Sequence, residues 1–177
     1  FAVMVRLFVA TGPRPQQAIG EAPRLLAGAV WLAALLTMIT AAMTAKSGAS
    51  LACYTWPHCN GAWFPPLDDP LVRVHFFHRA LAAITGGLVL LLLWVGWRQG
   101  DRLIRKGLLA LPLLFAVQVG WGALVIFLHV PIWTAVVHQA TGVALFLVLS
   151  YLLWLVRAAP RPAIPDVEFS DVRLRRA

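Results

Sequence analysis

The fold class predicted from the chain is an all-α membrane protein: four transmembrane helices in an up-down bundle, with a disulfide loop on the outer side. Three observations predict it. The 177 residues are 60% hydrophobic and only 12% charged, with a mean hydropathy of +0.79, too apolar for an ordinary soluble domain. Four stretches, Arg24–Ala45, Val72–Trp97, Lys106–Leu128 and Ile132–Val156, are each long enough to cross a hydrocarbon core of ~30 Å. None of the seven Asp and Glu residues falls deep inside a span. The connections are short, which makes sequential helices antiparallel neighbours.

Residues 1–23 precede the first span. Phe1–Ala10 is apolar but too short to cross, and Arg6 interrupts it. A short helix along the inner interface is expected there, the other reading being the remnant of an upstream element. Thr11–Pro15 reads as a breaker-rich loop. From these boundaries, residues 24–156 form the membrane domain, 1–23 an inner segment and 157–177 a tail that is Pro- and charge-rich and extended beyond Pro160.

Basic residues orient the bundle. Arg6, Arg14 and Arg24 lie before the first span, and Arg98, Arg102, Arg105 and Lys106 lie in the second connection. Arg157, Arg161, Arg173, Arg175 and Arg176 follow the fourth span. The first connection has only Lys46 and Arg73, and the third, around His129–Trp133, has no Lys or Arg. Positive-inside bias therefore places both termini in the cytoplasm and the protein in the inner (cytoplasmic) membrane, with the first and third connections outside. The same distribution accounts for the net charge of +8 without a nucleic-acid partner, because the cations flank spans instead of forming one patch.

The first outer connection is too long for a mere link, and it carries both cysteines. Cys53 and Cys59 bracket Tyr54-Thr55-Trp56-Pro57-His58. Outside the membrane a disulfide is favoured over two free thiols. Its role is open between a structural staple and a redox pair; a metal site from Cys53, Cys59 and His58 matches no common zinc spacing. Trp56, Trp63, Phe64, Pro65 and Pro66 read as an interfacial lid of rings and rigid turns.

His78 and His138 are the most informative residues. They lie seven and six residues into the second and fourth spans, counted from Leu71 and Ile132, a depth of roughly 9–10 Å at helical rise. An idle histidine inside a bilayer is costly, and two at one depth point to a shared ligand. Neutral imidazole suits iron, and bis-His haem ligation between helices is physically natural. Zinc would need more donors than this level of the bundle offers. The bland alternative for each histidine is a hydrogen bond to a neighbouring helix. Ala82, Thr85, Gly86 and Gly87 below His78, and Thr141 and Gly142 below His138, leave room for tight helix packing or for a flat macrocycle. His78-Arg79-Ala80 and His138-Gln139-Ala140 hint at an old duplication of a helix pair. His75 shares the face of His78, His129 sits at the outer end of span three, and His58 is expected on the loop surface.

These residues also carry a family resemblance. Thr44 to Cys53, Trp56-Pro57-His58-Cys59-Asn60-Gly61 and Pro65-Pro66 resemble the first outer loop of haem A synthases. His78-Arg79, Gln118 to Gly122 and His138 follow in the order of that family, so the resemblance covers roughly residues 24–156. Such proteins usually carry two four-helix halves in one chain, and this sequence is similar to one half, as in compact members that pair as homodimers.

The resemblance implies oxidation of a methyl substituent of haem O to the formyl of haem A for terminal oxidases. It implies haem as cofactor or substrate (haem b, haem O or haem A), with His78 and His138 as axial ligands and the Cys53–Cys59 loop covering the pocket. Arg79 is then a cofactor-binding candidate, pairing with a propionate, or else a helix anchor at the interface. His75 stands where the catalytic half of the family commonly has glutamate, so it is the catalytic candidate for handling a proton. The half lacking that glutamate is the one usually assigned to bound haem b. The alternative function is accordingly a non-catalytic haem b subunit for electron transfer or assembly in a respiratory or photosynthetic complex. A quinone-linked thiol oxidoreductase using Cys53 and Cys59 is a third reading. Expected partners are haem, membrane lipid, and a second copy or a larger oxidase complex.

Overall fold

A computed structural model describes residue 12, residues 14–100 and residues 102–163. The expected interfacial helix at Phe1–Ala10 and the tail beyond Ala163 lie outside the described residues. Four long helices make up the bundle: α1 (Glu21–Lys46), α2 (Pro70–Trp97), α3 (Arg102–Phe127) and α4 (Ile132–Ala158). Each is long and apolar enough to cross a bilayer. No β-strand occurs among the described residues, and one 3₁₀ turn, Ala49–Leu51, follows α1.

Each helix packs on its sequence neighbours, and α1 also packs on α4, which closes the up-down-up-down ring. In this order α1 faces α3 across one diagonal and α2 faces α4 across the other. Helices α2 and α4 run the same way, so His78, eight residues past Pro70, and His138, six past Ile132, both lie within the first three turns from the same end of the bundle.

Three helices begin before the expected span, because polar residues serve as helix ends outside the apolar stretch. Asp69 caps α2, its carboxylate accepting the Leu71 N–H at 2.8 Å, and Pro70 supplies the first turn. Helix α3 reaches back to Arg102, through cations that hold their charge at the interface while the stem stays apolar. Helix α1 starts at Glu21, an acidic residue suited to a helix N-terminus.

The apolar core fills the half of the bundle nearest the termini. Ala27, Val30 and Ala34 of α1, Val89 and Leu92 of α2, Ile104, Leu108 and Leu111 of α3, and Leu145, Leu149 and Leu152 of α4 are all buried there. Trp31 crosses from α1 to α4, donating its indole N–H to Ser150 Oγ at 2.9 Å.

Arg24 closes this end. Its buried guanidinium donates to the carbonyls of Ile19 (3.1 Å), Arg157 (3.0 Å), Ala159 (2.6 Å) and Pro160 (3.0 Å). The side chain counted as an orientation signal thus also satisfies carbonyls at the end of α4, which a helix cannot satisfy itself. The Ile19 N–H adds a bond to Pro160 O at 2.9 Å, holding the two ends of the bundle's chain together.

Candidate functional site

The opposite half is built differently. Polar side chains there converge between the helices at the level of His78 and His138. On α1, Thr37, Thr40 and Thr44 recur at helical spacing. Each bonds back to a carbonyl of its own helix, which lets a hydroxyl sit inside an apolar segment. The His78 Nδ1–H donates to Thr37 O at 3.2 Å, with Thr40 Oγ1 at 3.4 Å. Thr37 Oγ1 lies 3.0 Å from Thr85 Oγ1 of α2, beneath the imidazole.

On the other side, Gln118 of α3 holds His138 of α4. Its amide nitrogen donates to His138 O at 3.0 Å and lies 3.2 Å from Nδ1, while its amide oxygen accepts the Thr141 hydroxyl. Glycines admit these groups. A Cβ on Gly122 would stand 3.1 Å from His138 Cε1, and one on Gly142 would stand 3.0 Å from Gln118 Nε2. A Cβ on Gly86 would meet Phe115 Cε1 at 2.6 Å, so the Phe115 ring occupies the place of a side chain and forms a floor above the dry core.

The two imidazoles stand on α2 and α4, across the bundle's diagonal. In both, Nδ1 faces a neighbouring helix, and among the described residues no hydrogen bond engages Nε2. Among the described residues no buried side-chain nitrogen or oxygen lacks a partner, so these two Nε2 atoms open on space. Two neutral imidazole nitrogens would suit a haem, whose macrocycle supplies four nitrogens of its own. The described residues contain no cluster of three or more His, Cys, Asp or Glu side chains of the kind a bare ion requires.

His75 and Arg79 lie on the same α2 face but are occupied by the loop. Arg79 donates from Nε to His75 Nε2 (3.1 Å), from Nη1 to Thr55 O (2.6 Å) and His58 O (3.0 Å), and from Nη2 to Cys53 O (2.6 Å). Four of its five N–H donors are spent on the protein. Guanidinium cannot accept, so His75 Nε2 is the acceptor and the ring is neutral with its proton on Nδ1. That proton goes to Ala49 O at 2.8 Å, which leaves the 3.3 Å approach of the Cys53 N–H to Nδ1 as a contact only. The buried His75 ring therefore ties the 3₁₀ turn to α2 with both nitrogens engaged.

The loop is a folded unit. Cys53 and Cys59 form a disulfide and are both buried. Asn60 and Gly61, with φ of 55° and 87°, close a two-residue turn between Cys59 and Ala62, whose backbones exchange bonds of 2.9 and 3.1 Å. Asn60 then bonds the Tyr54 N–H at 3.0 Å and Ala52 O at 2.8 Å. The lid rings spread over the bundle mouth: Trp56 meets Phe127 of α3 at 6.4 Å and Phe64 meets Phe76 of α2 at 6.3 Å. The His58 ring packs on Trp63 at 4.2 Å, away from the histidine pair, and exposed His129 ends α3 in a left-handed conformation.

Comparison with known proteins gives the family. Residues 1–150 match the COX15-CtaA family, described as cytochrome oxidase assembly protein. The chain belongs to that family. It is similar to the heme A synthase of Symbiobacterium thermophilum, 38% identical over 118 residues, covering 66% of this chain and 38% of that protein. The heme A synthase of Methylorubrum extorquens is 27% identical over 176 residues, covering 90% of this chain and 46% of that one. The protoheme IX farnesyltransferase of Halobacterium salinarum is 34% identical over 133 residues, 75% of this chain and 30% of that one. The chain thus spans less than half the length of these relatives.

Proposed function

We propose that this chain is a haem-binding four-helix half of a haem A synthase, and that it serves the oxidation of the haem O methyl group to formyl. The observation that carries the proposal is the pair His78 and His138, both within the first three turns of parallel helices, with both Nε2 atoms open. A bound haem would supply the iron through which electrons leave the substrate carbon. The chain's own residues orient the ring: Thr37 and Gln118 fix the imidazoles, Phe115 and Gly86 floor the pocket, and the aromatic loop keeps water from its mouth. The names of the relatives, which all concern making or modifying a haem, support a porphyrin ligand. In this reading residues 24–156 are the haem domain, flanked by cytoplasmic segments 1–23 and 157–177 in the inner membrane, and a second copy or a companion half completes the enzyme.

His75 favours a second reading, a haem b half with an electron-transfer or assembly role. Both its nitrogens are engaged, and no carboxylate stands at the level of the pair, so the family's proton-handling group has no free counterpart here. Pigment extraction from the purified protein, with the reduced spectrum, tests both. A low-spin spectrum that His78→Ala and His138→Ala each abolish, with His58→Ala unchanged, is expected. Haem O and haem A in the extract fit the enzyme and haem b alone the second reading; an unchanged spectrum in both ligand variants refutes the site.

A further inference from the structure

Two clefts among the described residues lie far from the histidine pair, at the end that holds the termini. One, of about 520 Å³, runs between α2 and α3 and is walled by Leu90, Leu93, Trp94 and Leu109. It shares Trp97 and Leu109 with a second, of about 340 Å³, which reaches Arg102, Arg105 and Lys106. Together they make one groove that is apolar toward the membrane interior and cationic at its outer end.

Two of the cations lie over aromatic rings. The Arg98 guanidinium lies 5.5 Å from the centre of the Trp94 ring, and that of Arg105 lies 5.4 Å from Trp97. The ion pair among the described residues joins Arg161 to Glu21, so no described carboxylate pairs with Arg98, Arg102, Arg105 or Lys106. In the sequence, Asp101 is the one acidic residue between Trp97 and Lys106. The walls are open to the bilayer as well: Leu90 is 59% exposed, Trp94 62% and Leu109 53%.

We propose that this groove is a binding site for an anionic phospholipid of the leaflet on the side of the termini. The charge and shape of the groove select that occupant. A phosphate headgroup meets Arg102, Arg105 and Lys106, while an acyl chain lies along Leu90, Trp94 and Leu109. Basic residues that merely orient a helix need no groove beside them; here charge and apolar cleft are continuous through Trp97. The site is independent of the histidine pair and of the haem reading.

The test uses the 177-residue chain in detergent, titrated with dioleoyl phosphatidylglycerol or dioleoyl phosphatidylcholine, with bound lipid counted by native mass spectrometry. Wild type should retain phosphatidylglycerol in preference to phosphatidylcholine. The triple substitution Arg102→Gln, Arg105→Gln and Lys106→Gln should weaken that retention on the order of 100-fold. Leu109→Trp, which fills the groove and leaves every charge in place, should lose it too, whereas Arg73→Gln at the other end should not. Equal retention of the two lipids by wild type overturns the proposal, even if the triple variant does not fold. Full retention in Leu109→Trp also overturns it by reducing the effect to surface charge. Displacement of phosphatidylglycerol by added haem would assign the groove to a porphyrin carboxylate instead.

Discussion

Replacing Arg79 by Ala separates two roles that its position beside His78 allows. Its bonds to the carbonyls of Cys53, Thr55 and His58 hold the disulfide loop on α2. A hydrogen bond to a charged group contributes about 1.5–3 kcal/mol. Arg79 is half-buried, so water recovers part of this, and the three bonds together should contribute about 3 kcal/mol to keeping the loop closed. At 1.4 kcal/mol per decade, the open loop should become on the order of 100-fold more populated. The assay is the rate at which a membrane-impermeant phosphine reduces Cys53–Cys59, followed by alkylation and mass. Arg79→Ala should speed reduction by about that factor, Arg79→Lys by less, and the haem spectrum should keep its low-spin form. If reduction is unchanged while haem affinity falls, the guanidinium serves a propionate and the latch reasoning is wrong.

The remaining predictions concern neighbouring parts. His75→Ala should release the 3₁₀ turn from α2 and leave the Arg79 Nε–H without its acceptor, costing about 1–3 kcal/mol in thermal stability; with haem bound and haem A production intact in that variant, His75 has no part in the chemistry. His75→Glu should restore a partner for Arg79, and failure to recover any stability would argue against the Arg79–His75 bond. Gly122→Ala should crowd His138 and weaken or shift the low-spin spectrum, whereas Gly87→Ala, where a Cβ has nothing within 4 Å, should leave it unchanged. A cysteine at Arg98 should react only with reagents that reach the cytoplasmic face; labelling from outside would reverse the topology.

Much of the fold was legible because the bilayer penalises exceptions. A span without Asp or Glu has few readings, and two histidines at one depth had to be explained by partners or by a ligand. The family pattern then extended this to the loop. Helix ends were less legible, since Asp69-Pro70 and Arg102 belong to helices by capping and by snorkelling rather than by apolarity. Arg24 read as an orientation charge because nothing local reveals that its donors meet carbonyls of residues 157, 159 and 160. The Asn60-Gly61 turn did carry a local signal, the dipeptide that favours positive φ at both positions. The partners of Arg79 carried none: backbone carbonyls are present at every residue, so a sequence cannot say which three will converge on one guanidinium.

The division of the bundle into a dry half and a polar half follows from what the histidines require. Leaving both Nε2 atoms open means that the helices cannot be sealed there by apolar side chains, so this level contributes little hydrophobic stabilisation of its own. The helices must be held above and below it. Below, the core from Val30 to Leu152 and the Arg24 clamp fix all four at the end of the termini. Above, the only connection long enough to form a structure is the one between α1 and α2, and it is fastened to α2 through Arg79 and His75 and reaches α3 through Trp56 and Phe127. The disulfide keeps the three accepting carbonyls in one small loop, so that a single guanidinium can hold them. In the proposed reading, Arg79 acts on the pocket by holding the disulfide loop on the helix that carries His78.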